Sequence, residues 1–269
     1  MEENENFSGY GREDLAKIIS YLTFDGHLRK NIREFYLSSS SLETLKTFEE
    51  IVAKNFHLKG TYETGSGFGK SYKCWFRNAK ASRVLFRLGA PNGDKMISAF
   101  TVPAWIKDDE ALAREYLRVA FGCEAGIRKR ANAVSYEIYF KLYKAEELLD
   151  SGLSFINELK QMLIQFGVET AKITIQKGNL RKKDGKLTKA MSFRIKTVSL
   201  AAFAEKIGFS DGNKQKQLAL AMKALKMRKT FPYHLSKSDT TRVAFEKQFC
   251  GGTDSLEPVQ NRLVDGAVG

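Results

Sequence analysis

Two stretches of this 269-residue chain run as helical patterns into a single acid followed by a small residue. The first is Leu15-Ala16-Lys17-Ile18-Ile19-Ser20-Tyr21-Leu22-Thr23-Phe24-Asp25-Gly26, and the second is Tyr116-Leu117-Arg118-Val119-Ala120-Phe121-Gly122-Cys123-Glu124-Ala125-Gly126. Their acids, Asp25 and Glu124, stand 99 positions apart. Carboxylates are ligands for hard divalent cations, which activate water and stabilise charge in phosphoryl chemistry. Taken alone, Asp25-Gly26 is an ordinary turn, because Gly is a natural helix stop. A second helix of the same kind, ending in Glu124, makes the pair a candidate metal centre.

Other chemical signals are weaker. Residues 64–71 (TGSGFGKS) resemble a phosphate-binding loop, but Thr64 stands where that motif needs its first Gly. The preceding KGTYE is too polar for a buried parallel strand, so a hairpin is expected there. His27, His57 and His234 share no ligand spacing, and no Ser-His-Asp or Cys-His set is visible. Cys74, Cys123 and Cys250 are odd in number and far apart, which excludes zinc spacing and favours a reducing compartment.

The elements that must position the acids follow a repeated order. After the first helix come an extended stretch over 28–38, a helix over 42–56, extended pieces at 59–64 and 71–77, and a helix over 79–89. The same order recurs: helix 109–122, strands 126–131 and 134–143, helix 152–166, strands 170–176 and 190–196, and helix 198–207. In the 134–143 strand, Val134, Tyr136, Ile138, Phe140 and Leu142 share one face, opposite Ser135, Glu137, Tyr139, Lys141 and Tyr143. The chain therefore reads as a tandem duplication in an α+β class. Its expected divisions are a disordered N-terminus (1–10), a first lobe (11–91), a connection (92–108), a second lobe (109–235) and a partly loose extension (236–269).

Lys and Arg total 44 against 31 Asp and Glu, a net charge of +13. So basic a chain draws polyanions, nucleic acid first. No run of about 18 apolar residues exists to span a membrane, and the acidic, polar start MEENENFSGYG is not a signal peptide.

The paired helices, correctly spaced within duplicated units, resemble the two motif helices of single-chain LAGLIDADG homing endonucleases. Ser82–Pro91 (SRVLFRLGAP) and Val102–Ile106 (VPAWI) are similar to the end of that family's first lobe, and Phe203–Phe209 (FAEKIGF) to the end of its second. The resemblance covers about residues 11–235. It implies tandem pseudo-twofold αββαββα lobes, with the motif helices packed at the lobe interface and antiparallel sheets forming a DNA-binding saddle. Ala16, Ser20, Ala120 and Gly122 would allow the helices a close approach.

The function so implied is site-specific cleavage of both strands of DNA with Mg²⁺, for which Mn²⁺ or Ca²⁺ would substitute in binding. The resemblance assigns metal binding to Asp25 and Glu124, with backbone carbonyls at Phe24 and Cys123 as further ligands. By position it makes Lys196, Arg77 and Ser39 auxiliary catalytic residues. The partner is double-stranded DNA with a long target site. The chain is expected to act as a monomer, in the cytoplasm of a prokaryote or in an organelle of a eukaryote.

Strand alternation then predicts the DNA-facing side chains. In the first lobe they are Arg29, Arg33 or Glu34, Tyr36, Ser38, Tyr62, Lys73, Trp75 and Arg77. In the second they are Arg128, Arg130, Glu137, Tyr139, Lys141, Lys172, Thr174, Gln176, Arg194 and Lys196. The basic loop from Lys177 to Lys189, with Arg181, Lys182, Lys183 and Lys186, would extend along phosphates. The alternative is a non-cleaving DNA- or RNA-binding protein of the same fold, an intron maturase or regulator. Its motive is Val119 and Ala125, which stand where the family usually has a small residue and Gly.

Overall fold

The computed structural model describes residues 9–64, 71–129 and 136–230. The first lobe contains α1 (Arg12–Thr23), β1 (Gly26–Leu28), β2 (Phe35–Ser39), α2 (Leu42–Phe56), β3 (Thr61–Thr64), β4 (Tyr72–Phe76) and α3 (Ala79–Arg87). A connection carrying the short α4 (Ala104–Lys107) leads to the second lobe. That lobe contains α5 (Glu110–Glu124), β5 (Ala125–Lys129), β6 (Tyr136–Ala145), α6 (Leu149–Gln165), β7 (Thr174–Leu180), β8 (Leu187–Arg194) and α7 (Leu200–Lys206), and α8 (Gly212–Thr230) follows it.

Local sequence sets several helix starts. Ser41 accepts from Thr44 N at 3.2 Å, Asn78 from Ala81 N at 2.9 Å, and Asp109 from Ala111 N at 3.0 Å. Each satisfies a backbone donor that has no partner inside its helix. The two sheets are fully antiparallel and share one topology, β1-β2-β4-β3 and β5-β6-β8-β7. This is the duplicated α+β architecture that the sequence implies.

Both lobes lie in one compact unit, Met1–Met227. The remainder, from Arg228, lies outside the described residues apart from the end of α8. One hydrophobic core runs through the first unit, with α1 and α5 at its centre. Leu15, Ala16, Ile18, Ile19, Leu22, Ala113, Tyr116, Leu117, Ala120 and Phe121 are all fully buried. Strand alternation produces the sheet layers: Phe35, Leu37, Ile138 and Phe140 point into this core.

The two strands expected between the first two helices form a hairpin that starts before residue 28: β1 and β2 pair from Gly26↔Leu37 to Leu28↔Phe35, with a turn that holds Ile32 at φ 55°. One expectation changes. The 177–189 segment is mostly strand. β7 and β8 continue through Lys177↔Lys189 to Leu180↔Leu187 across a bulge, because cross-strand pairing absorbs the basic residues that looked like a loop.

Candidate active site

The site lies where α1 and α5 end side by side. Ser20 Oγ donates to the carbonyl of Tyr116 at 2.8 Å, tying one helix to the other. Ala16 and Ala120 are fully buried at this interface, and Val119 is accommodated at 2% exposure. Gly122 serves a different neighbour, since a Cβ there would meet Ser210 Oγ at 2.0 Å. Beyond each helix the chain turns directly into a strand, which fixes the acid at the turn. The Asp25 carbonyl accepts from Ser38 N at 3.4 Å, and Ala125 N donates to Phe121 O. Gly26 is required, because a Cβ there would lie 2.9 Å from the carbonyl oxygens of Tyr21 and Tyr36. Ala125, in extended conformation, needs no such freedom.

The last carbonyls of a helix lack partners within it and form its negative end. Here a lysine meets each. Lys95 Nζ donates to the carbonyls of Leu22 (3.0 Å), Phe24 (2.5 Å) and Gly26 (2.7 Å) at the end of α1. Lys214 Nζ donates to those of Gly122 (2.5 Å) and Cys123 (3.1 Å) at the end of α5. Both lysines follow the third helix of their lobe, in Gly89–Lys95 (GAPNGDK) and Gly208–Lys214 (GFSDGNK). Gly89 and Gly208 both hold positive φ, at 99° and 67°. Reasoning from strand positions missed these two residues. The shared Gly-x5-Lys spacing after the third helix of each lobe was the signal that could have found them.

The charges interact strongly. Burial pushes the Glu124 carboxyl up to about 7, and the nearby Asp25 charge adds to the rise. Burial also raises Asp25, although it opens to solvent through a cleft; the Cys123 thiol donates to it and, with Lys95 and Lys214, restrains the rise. Burial lowers Lys95 to about 8, against the pull of Glu124 and Asp25. The cleft beside Asp25, about 350 Å³, is lined by Ser38, Ser39, Cys123, Asp211 and Lys214, so Ser39 does lie within the site's reach.

Arg77 and Lys196 do not join the carboxylates. Asp25 is level with Ser38 and Lys73, and Arg77 is four positions further along, roughly 13 Å away at strand rise. It pairs with Glu63 at 2.8 Å and Glu34 at 3.7 Å. Lys196 likewise lies beyond Arg194, toward the far end of the second sheet, and pairs with Glu169 at 2.7 Å. The last strand of each lobe runs away from the helix ends, so residues late on it are carried off. The carbonyls of Phe24 and Cys123 do lie at the site, where the two lysines hold them.

The face of each sheet turned from the core carries most of the expected DNA-facing residues. Tyr36, Ser38, Lys73 and Trp75 share it in the first lobe by register. Arg29 and Arg77 lie over the Trp75 ring, 5.4 and 5.5 Å from its centroid, and Tyr36 packs on Trp75 at 4.2 Å. Arg33 is exposed in the β1–β2 turn. In the second lobe Arg128, Tyr139, Lys141 and Arg194 share the face, with Thr174 and Gln176 paired to its register and Lys172 exposed just before them. Lys182 follows on the hairpin turn, and Arg130 lies outside the described residues.

Three residues on these faces differ from expectation. Tyr62 pairs with Cys74, so it faces the helices and donates to Glu49 at 2.7 Å, leaving Thr61 and Glu63 on the open face. A one-residue register difference inverts a strand's faces. Arg181 is turned inward to Asp94 and Asp184. Glu137 is buried and holds Arg128 (2.5 Å) and Arg194 (3.3 Å), so it orients arginines.

The donor set fits a hard divalent cation. Two carboxylates and several helix-end carbonyls are oxygen ligands of the kind Mg²⁺ takes. The Phe24 and Cys123 carbonyls already accept from Lys95 and Lys214, so the two carboxylates are the principal oxygen donors. Among the described residues no three His, Cys, Asp or Glu side chains converge, so water would complete the coordination.

No family model matches the chain. It is 32% identical over 225 residues to the DNA-directed RNA polymerase subunit Rpo1N of Methanocaldococcus jannaschii, covering 76% of this chain and 16% of that protein. It is 26% identical over 229 residues to the tRNA-splicing ligase RtcB of Pyrococcus abyssi, covering 80% and 24%. The chain thus spans a quarter or less of the length of these two relatives. Among solved structures, full-length DUF199/WhiA from Thermatoga maritima superposes with a TM-score of 0.50 at 14% identity, covering 88% of this chain and 66% of that one. Variants of the homing endonuclease I-DmoI give 0.46 at 12%, covering 77% and 97%. Two lobes of one topology, joined through parallel motif helices with an acid at each end, give this chain the two-lobed LAGLIDADG fold.

Proposed function

We propose that the chain is a site-specific endonuclease that hydrolyses both strands of duplex DNA with a divalent metal. The observation that carries this reading is the pair of carboxylates, Asp25 and Glu124, at adjacent helix ends that are each met by a lysine, with Lys95 and Lys214 both acting on both acids. Asp25 and Glu124 would hold the metal, with the Phe24 and Cys123 carbonyls beside them. The bound metal supplies Lewis-acid activation of water and stabilises charge at the scissile phosphate. Lys95, lowered to about 8, is suited to accept or donate a proton near neutral pH. Ser39 orders water in the cleft, and Lys73 and Lys141 face the phosphates nearest the carboxylates.

The basic sheet faces support a DNA partner. Arg128, Arg194, Gln176 and Thr174 offer groups that match base edges in the major groove. Arg33, Lys172 and Lys182 suit phosphate contacts. The test is cleavage of a randomised duplex library with Mg²⁺, with Ca²⁺ and with chelator. Cutting at one recoverable sequence, with Mg²⁺ and lost in both Asp25→Asn and Glu124→Gln, is the expected result. Cleavage undiminished in both variants sinks the assignment.

A second reading is a non-cleaving binder of the same fold. The His27–Tyr36–Trp75 ring series on the first lobe, flanked by Arg29, Lys73 and Arg77, favours it. Aromatic rings among cations suit unpaired bases. Retention of structured RNA in preference to duplex DNA, without cutting of either, would favour that reading.

A further inference from the structure

The two site lysines are held by different means. Lys214 lies in the first turn of α8, where its N–H donates to Asp211 Oδ1 at 2.8 Å. The segment before it is tied to α5 of the same lobe by Ser210 N to Arg118 O at 3.1 Å. Lys95 lies in the connection between the lobes, outside any helix or strand. Just before it, Gly93 N donates to Leu28 O of the first lobe at 2.8 Å, and the residues from Asp94 on are anchored by the second lobe.

The principal anchor is Lys144, on β6. Its side chain is 1% exposed, and its ammonium donates to the carbonyls of Lys95 and Ser98, both at 2.6 Å. The same ammonium lies 3.7 Å from the centroid of the Phe100 ring. Burying a lysine costs free energy unless its donors are met, and here they are met by the chain that carries Lys95. Gly152 on α6 makes room for the stem, since a Cβ there would come within 2.9 Å of Lys144 Cγ. Ala145 N adds a bond to Met96 O at 2.9 Å, and Arg181 grips Asp94. β6 has ten residues where β2 has five, so the first lobe has no strand position equivalent to Lys144 from which to hold Lys214.

We propose that Lys144 is a positioning residue for Lys95: the second lobe holds the connection so that the first lobe's lysine reaches the end of α1 beside Asp25. Lys95 faces both carboxylates, Glu124 as well as Asp25, so the acid pair depends on this contact, whereas Lys214 is held without it. The catalytic consequence rests on the endonuclease reading above.

The test uses the full chain with a target duplex labelled on both strands, in Mg²⁺. Lys144→Met is expected to slow cleavage roughly 10- to 100-fold. Lys144→Arg should restore much of the lost rate. Arg181→Met, which loosens the same connection at Asp94, should slow cleavage likewise and serves if Lys144→Met does not fold. Unchanged cleavage in Lys144→Met and Arg181→Met, or no recovery in Lys144→Arg, overturns the proposal. Hydrogen exchange provides a readout independent of cutting. In Lys144→Met, amides of residues 94–98 should exchange faster while those of 208–216 keep their protection. If the wild type cuts neither strand, the endonuclease reading fails, and the exchange result alone decides whether Lys144 holds the connection.

Discussion

Ser20 Oγ donates to the Tyr116 carbonyl at 2.8 Å, across two helices that belong to different copies of the repeat. The bond lies little more than one helical turn from Asp25, so the spacing of the two acids is coupled to it. Ser20→Ala should cost about 1 kcal/mol, the worth of one such bond. Ser20→Leu adds volume at a fully buried contact and should cost about 1–3 kcal/mol. It should also lower metal-dependent cleavage more than Ser20→Ala does. Urea unfolding, with cleavage rates on the same samples, checks both.

Glu124 makes stability depend on pH in a definite direction. Its folded value of about 7 lies above the ordinary 4.5, because burial and Asp25 disfavour the charged form. The folded state therefore holds the proton more tightly. That contribution is full below 4.5 and is lost as pH rises through 7. Glu124→Gln should stabilise the metal-free protein by ~1–3 kcal/mol at pH 8, and the advantage should vanish below pH 4.5. Unfolding midpoints in chelator from pH 4 to 8 measure it. A variant less stable than wild type at pH 8 contradicts the assigned environment of Glu124.

Lys95 is expected to shape the rate. With a value of about 8, its neutral fraction grows as pH approaches 8, so cleavage should rise over pH 6–8 and level above that. Lys95→Met should lose about 10²–10⁴-fold and flatten the profile. A pH–rate profile unchanged by Lys95→Met removes this lysine from the chemistry.

The sheet faces predict salt behaviour. Lys141→Ala and Lys172→Ala should each weaken duplex binding and lower the slope of log affinity against log salt by about one. Tyr62→Phe should leave that slope unchanged, because its hydroxyl is turned to Glu49. Fluorescence anisotropy over a salt series distinguishes them.

Much of the fold was legible in the sequence because its signals are local. The helix spanning Leu42–Phe56 starts at a capping Ser41 and carries buried Leu45, Phe48 and Val52 on one face, so spacing alone marks its extent. β6 shows its alternation over ten residues. Asp25 and Glu124 were legible for a related reason: each ends a long amphipathic helix, and the duplication repeats the device. Strand register was less legible. Tyr62 and Glu63 differ only by which faces Cys74 and which faces Lys73, and that choice is made by pairing with β4, distant in sequence.

What the sequence determined by itself is therefore the duplicated order of elements, the two acids and the basic character of the surface. Periodicity, capping and charge are written into neighbouring residues. Only the tertiary structure decided which cations serve the acids. Arg77 and Lys196 sit late on strands that run away from the helix ends, while Lys95 and Lys214 arrive from segments 70 and 90 positions beyond their acids. Lys144 looked like one more basic residue near the end of a strand, yet it is buried against the connection and donates to the backbone of Lys95. A charge finds its partner by three-dimensional proximity and by the cost of leaving carbonyls unmet, and neither is visible along the chain.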